Sequence, residues 1–147
     1  MSAPQIKPYL FFGGRCQEAL DYYRSALGAE ILFVMRYDEA PDPLPPGQLP
    51  PGFETKVMHA TFRIGGSVLM ASDGSGEPLA FNGFVLSLSF DDEAAVDRTF
   101  KALAEGGTIG MPLAKTFWSP RFGMVTDRFG VGWMVTKAGP PMPPSAT

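Results

Sequence analysis

The chain has very few of the residues that usually announce chemistry or compartment. In 147 residues it carries one cysteine, Cys16, and one histidine, His59. A lone cysteine cannot form an intrachain disulfide, so nothing here calls for an oxidising compartment. Positive charge is scarce too: twelve Lys and Arg against fifteen Asp and Glu give a net charge of −3. Nucleic-acid binding needs a basic face that displaces counterions, and this balance argues against one. No apolar run approaches a membrane span, and Met1-Ser2-Ala3-Pro4 lacks the charged-then-apolar order of a signal peptide. Gly13-Gly14 and Gly65-Gly66 read as turns, without the spacing of a phosphate-binding loop. A soluble cytoplasmic protein with neither nucleic-acid nor membrane partners is expected.

What is present is a regular alternation of strand and helix patterns. Residues 6–12 form a strand candidate and 15–27 a helix whose apolar residues Cys16, Ala19, Leu20, Tyr23 and Leu27 fall on one stripe. Gly28 suits the left-handed cap that ends it. Residues 29–36 read as a strand with Ile31, Phe33 and Met35 alternating against Leu32, Val34 and Arg36. Six prolines between 38 and 52 exclude helix and sheet interior, leaving an extended surface loop. Strands at 56–64 and 67–72 follow, then a Gly/Ser linker at 74–82. A strand at 84–90 leads to a helix over 93–104, opened by Asp91-Asp92, closed by Gly106 and striped by Val96, Phe100 and Leu103. A weak strand near 108–112 precedes a hairpin of strands 116–126 and 131–136, turned at Asp127-Arg128-Phe129-Gly130. The Pro-rich stretch 138–147 reads as a frayed tail.

The two halves match each other. Ala19-Leu20-Asp21 recurs as Ala95-Val96-Asp97 and Ala26-Leu27 as Ala102-Leu103, both at an offset of 76, which also lays strand 8–12 on 84–88. Gly66-Ser67-Val68-Leu69-Met70 matches Gly130-Val131-Gly132-Trp133-Met134 at an offset of 64, and the Pro-rich insertion in the first half accounts for the difference. An α+β fold of two tandem βαβββ modules follows, spanning about 5–73 and 83–137 within a single domain 1–137. A sheet covered by one helix buries one face and leaves the other to line a concave trough.

That order, together with Tyr9-Leu10-Phe11-Phe12, Lys56-Val57-Met58-His59-Ala60, Val68-Leu69-Met70-Ala71-Ser72-Asp73, Met111-Pro112-Leu113 and the hairpin 117–135, resembles the glyoxalase and bleomycin-resistance superfamily (vicinal oxygen chelate proteins), in particular its PhnB-like subgroup. The resemblance covers roughly residues 6–137. It implies a glyoxalase-like half-barrel, a homodimer, and a small molecule held in the trough. Metal-using members place His and Glu on four trough strands, and those positions fall here near Pro8, Met70, Val85 and Met134. None of the four suits a hard divalent ion, so no metal and no other cofactor is expected. Similar PhnB-like sequences tend to carry an acidic residue where Thr61 stands, and this departure weakens any His–carboxylate dyad here. Names in this subgroup also point to demethylubiquinone methyl transfer or phosphonate metabolism. The first lacks a nucleotide loop here, and the second has only scattered arginines to speak for it.

The residues themselves mark a candidate set. Strand alternation puts Val57, His59, Thr61 and Arg63 on one face and Met58, Ala60, Phe62 and Ile64 on the other. If the second set lies under the helix, His59 and Thr61 face the trough. An imidazole there can act as a general base, hydrogen-bond a ligand, or simply sit half-buried against a neighbour. Phe117, Trp118 and Phe122 can stack a planar ligand, Arg121 or Arg36 can hold an anion, and Met70, Met124 and Met134 can form an adaptable lining. Aromatics in a hairpin are equally core or dimer contacts, which is the expected role of Trp133 and Phe129. Cys16 reads as a small hydrophobe. The expected ligand-binding set is therefore His59, Thr61, Met70, Trp118, Phe122, Arg121 and Met134, serving a small apolar or planar ligand without the usual metal. The alternative is lyase, isomerase or dioxygenase-type chemistry with His59 as the catalytic base or a metal ligand.

Overall fold

The structure, a computed structural model, describes residues 3–42, 44–45, 47–77 and 80–139. The 38–52 loop is thus described except at positions 43 and 46, and most of the expected C-terminal tail lies outside the described residues. The chain divides between Leu79 and Ala80 into two compact units. Each is an open four-stranded sheet with one helix.

In the first unit, β1 (Tyr9–Phe11), α1 (Cys16–Leu27), β2 (Glu30–Arg36), β3 (Val57–Ile64) and β4 (Ser67–Ser72) form a sheet ordered β1-β4-β3-β2. In the second, β5 (Leu86–Phe90), α2 (Glu93–Ala104), β6 (Thr108–Ala114), β7 (Phe122–Thr126) and β8 (Gly132–Lys137) repeat the pattern as β5-β8-β7-β6. The first strand pairs in parallel with the last in both sheets, and all other pairs are antiparallel. The α+β fold of two βαβββ modules is as the repeat predicts.

Each helix buries its expected stripe apart from Leu27, which is half-buried: Cys16, Ala19, Leu20 and Tyr23 in α1, and Val96, Phe100 and Leu103, joined by Thr99, in α2. Under α1 lie Ala60, Phe62 and Ile64, all buried, with Tyr23 stacked on Phe62 at 6.1 Å and 6° between planes. Trp133, Val135 and Val125 fill the same role under α2. Gly123 is required there because a Cβ would stand 2.7 Å from the Phe100 ring.

The helix starts are built differently. Asp92 caps α2 locally, its Oδ1 accepting from Ala94 N at 3.1 Å. Arg15 at the start of α1 offers no side-chain cap. Buried Asp73, just past β4, supplies it: Oδ1 accepts from Gly14 N at 2.8 Å and Cys16 N at 2.7 Å, and Oδ2 accepts from Val57 N at 2.8 Å.

Three expectations need correction. The first strand of the C-terminal hairpin begins at Phe122; residues 116–121 are irregular. Thr116 N donates to Ser119 O at 2.9 Å, and buried Ser119 Oγ lies 2.7 Å from Lys137 O, with Pro120 unable to extend a ladder. The alternation along β2 is broken by a register shift at Leu32, so Ile31 pairs with Phe62 on the helix side while Phe33 and Met35 pair with Thr61 and His59. The offset of 76 that lays strand 8–12 on 84–88 also shifts: Tyr9 stands opposite Met70 and Ser87 opposite Met134, an offset of 78. Short matches between strands set an approximate offset, while hydrogen bonding sets the register.

Candidate functional site

The face of the first sheet turned away from α1 carries a cross-strand row: Tyr9 on β1, Met70 on β4, Thr61 on β3 and Phe33 on β2. His59 lies one position along on β3, opposite Met35. Cross-strand partners share a face, so these side chains are neighbours by register. Phe33 and Phe11 are 46% and 44% exposed, a large apolar content for an uncovered surface.

His59 is held at both ring nitrogens. Tyr9 Oη lies 3.0 Å from Nδ1 and Thr61 Oγ1 lies 3.3 Å from Nε2. Both hydroxyls can donate or accept, so either neutral tautomer satisfies the chain: the Nε2–H form accepts from Tyr9 and donates to Thr61, and the Nδ1–H form does the reverse. Tyr9 and Phe33 flank the imidazole with ring centroids at 5.5 and 6.1 Å, and Phe11 sits 5.0 Å from Tyr9. The result is a polar pair of hydroxyls and an imidazole set in an aromatic and methionine surface. Tyr9 and Phe33 escaped the sequence reading. The alternation of 9, 11 with the Met70 row could have found Tyr9, whereas the shift at Leu32 hid Phe33.

The second unit carries the remaining candidates. Trp118 packs edge-on to Phe122 at 5.3 Å and to Phe117 at 4.7 Å. Phe122 pairs with Thr136, and Met134 pairs with Met124 and Ser87 on the same face. Arg121 is on the helix side instead, where its Nε is ion-paired with Asp97 of α2. Arg36 is committed as well, with Nη1 donating to Thr55 O and Nη2 to Gln17 Oε1, both at 2.8 Å. Trp133 is core, its indole N–H donating to Asp127 Oδ2 at 2.8 Å.

The superfamily's metal does not fit these residues. Close to the strand positions that the resemblance assigns to the metal, Tyr9 pairs with Met70 and Ser87 with Met134. Two thioethers and two neutral hydroxyls do not make the nitrogen and carboxylate set that a hard divalent ion needs. Among the described residues no three of His, Cys, Asp and Glu gather into a metal-sized cluster.

Cys16 is buried and its thiol is pushed far above the ordinary thiol range, chiefly by burial, secondarily by Asp73, with Arg36 opposing. A thiol that stays protonated is a poor nucleophile. Cys16 should therefore resist a thiol reagent such as DTNB in the native protein and react only on unfolding. Above about pH 9, the ordinary value, the unfolded thiol ionises while the folded one does not. Stability should then fall as pH rises, with a slope of about 1.4 kcal/mol per pH unit from this group. Urea unfolding at several alkaline pH values should show that slope, and Cys16→Ala should remove it.

The chain belongs to the Glyoxalase/Bleomycin resistance protein/Dioxygenase superfamily, whose family model matches residues 5–135. Among its relatives, Protein YjdN from Escherichia coli is 40% identical over 139 residues, covering 88% of this chain and 92% of that protein. Protein PA1353 from Pseudomonas aeruginosa superposes with a TM-score of 0.80 at 41% identity, over 92% of this chain and 98% of that one. The PhnB protein from Bacillus cereus gives 0.74 at 33% identity, over 92% of this chain and all (100%) of the other. No helix among the described residues is long and apolar enough to cross a membrane.

Proposed function

We propose that the open face of the first sheet binds a small planar or apolar ligand, with His59 and Tyr9 supplying its polar contact, and that it does so without the divalent metal of other superfamily members. The observation that supports this is the bridged imidazole. The chain's single histidine is fixed between Tyr9 and Thr61 on a surface otherwise made of Phe11, Phe33, Met35 and Met70. A preoriented polar group on an apolar floor gives a ligand direction as well as affinity. Methionines let such a floor adapt to ligands of different outline.

A nucleotide or methyl donor held at the start of α1 is disfavoured. The backbone N–H groups of Gly14 and Cys16, which an anion would use there, already donate to Asp73.

The test uses 2-naphthol, a planar probe with one hydroxyl, followed by its own fluorescence. His59→Ala should weaken binding by about tenfold, the worth of one hydrogen bond, and shift unfolding free energy by less than about 1 kcal/mol, as expected of a half-exposed side chain. Equal affinity in the variant, or loss of its fold, would overturn the assignment. Metal analysis of both proteins separates the enzyme alternative: stoichiometric metal that disappears with His59→Ala would favour a metalloenzyme with an altered ligand set.

A further inference from the structure

We propose a second site, specific for an amphipathic organic cation, in the cleft between the Pro-rich insertion and the start of β3. The cleft has a volume of about 320 Å³, at the small end of ligand pockets. Ala40, Leu44, Leu49 and Met58 give it apolar walls, and Asp38, Asp42 and Glu54 stand around them. Among the described residues, no lysine or arginine lines it.

Charge is what selects the ligand. Asp38, Asp42 and Glu54 form no ion pair and no side-chain hydrogen bond among the described residues. Neighbouring groups are used differently. Glu39 accepts from Arg36 N at 2.8 Å, the Arg36 guanidinium is held by Thr55 O and Gln17, and Lys56 Nζ donates to Gly14 O at 2.9 Å. Three carboxylates without a counter-charge around an apolar floor create a negative potential that an ammonium or amidinium head would relieve, while its hydrocarbon body covers Met58 and the leucines.

The walls are anchored. Tyr37 Oη donates to Gly74 O at 2.5 Å, Tyr37 N donates to Lys56 O at 3.1 Å, and buried Phe53 packs against Tyr37 with centroids 6.2 Å apart. Met58 is the extra residue at a register shift in β3, between Val57 opposite Arg36 and His59 opposite Met35. Such bulges re-aim side chains, and here Met58 lines the cleft while His59 stays on the open face. The two sites are therefore distinct.

Isothermal titration at low ionic strength with 4-phenylbutylamine, 4-phenyl-1-butanol and 4-phenylbutyrate tests this. The amine should bind at least tenfold more tightly than the alcohol, and the carboxylate more weakly still. The double variant Asp42→Asn, Glu54→Gln should bring the amine down to the affinity of the alcohol while leaving 2-naphthol binding unchanged. His59→Ala should leave amine binding unchanged. No amine binding, equal affinity for amine and alcohol, an undiminished affinity in the double variant, or loss with His59→Ala would each overturn the proposal.

Discussion

Replacing Asp73 with alanine is expected to lower the unfolding free energy by about 3–5 kcal/mol, the range found when one partner of a buried charged interaction is removed. The carboxylate is buried and accepts three backbone N–H groups, from Gly14, Cys16 and Val57. Alanine would leave those donors unpaired in the interior, at about 1–3 kcal/mol each before relaxation. It would also remove the negative charge that faces the positive end of α1. Asparagine separates geometry from charge. Its carbonyl can still serve Gly14 and Cys16, but its NH₂ would face the Val57 N–H, donor against donor, so a loss of about 2 kcal/mol is expected. Urea unfolding followed by circular dichroism reads both. A loss below about 1 kcal/mol for the alanine variant would mean that water replaces the carboxylate and that α1 is held by packing alone.

Asp127→Ala should cost about 2–4 kcal/mol for the same reason, in the other module. Its Oδ1 accepts from Phe129 N at 2.8 Å and Val131 N at 3.1 Å, and its Oδ2 accepts from Trp133 Nε1 at 2.8 Å. One buried side chain thus shapes the β7–β8 turn and fixes the large indole beneath α2. Trp133→Phe removes one of the three donors as well as part of the core's volume. Because both substitutions break the Asp127–Trp133 bond, the double variant should cost less than the sum of the two singles. Strict additivity in tryptophan-independent unfolding curves would show that the bond contributes nothing.

These two aspartates show what the sequence could and could not reveal. Asp127 sits in a turn that composition identifies, because Asp and Gly at 127 and 130 are turn residues for known reasons. Asp73 sits at the edge of a Gly/Ser-rich stretch that reads as linker, and its partners at the start of α1 are 59 and 57 residues away. No local pattern carries that information. Helices were legible because period and cap residues are local: the α2 span and its Asp92 cap follow from the pattern alone. Strand register was not legible, because a bulge such as that at Leu32 leaves the composition of β2 unchanged while reversing which residues share a face. The candidate site inherits this division. His59 and Thr61 follow from alternation within one strand. Tyr9 comes into hydrogen-bonding distance only through the parallel pairing of β1 with β4, and Arg121 belongs to the helix side through its pairing with Asp97.

The two helix starts also imply different histories for the two modules. The cap of α2 is two residues from the group it serves, so that helix can begin as soon as its own sequence is available. The cap of α1 arrives only after β4 has closed a loop of nearly sixty residues, and closing a loop has to precede the contact that rewards it. On a ribosome, α1 emerges first, whereas the aspartate that caps it emerges only at the end of its own module. The second repeat of an otherwise duplicated design thus caps its helix locally, while the first caps it by long-range closure.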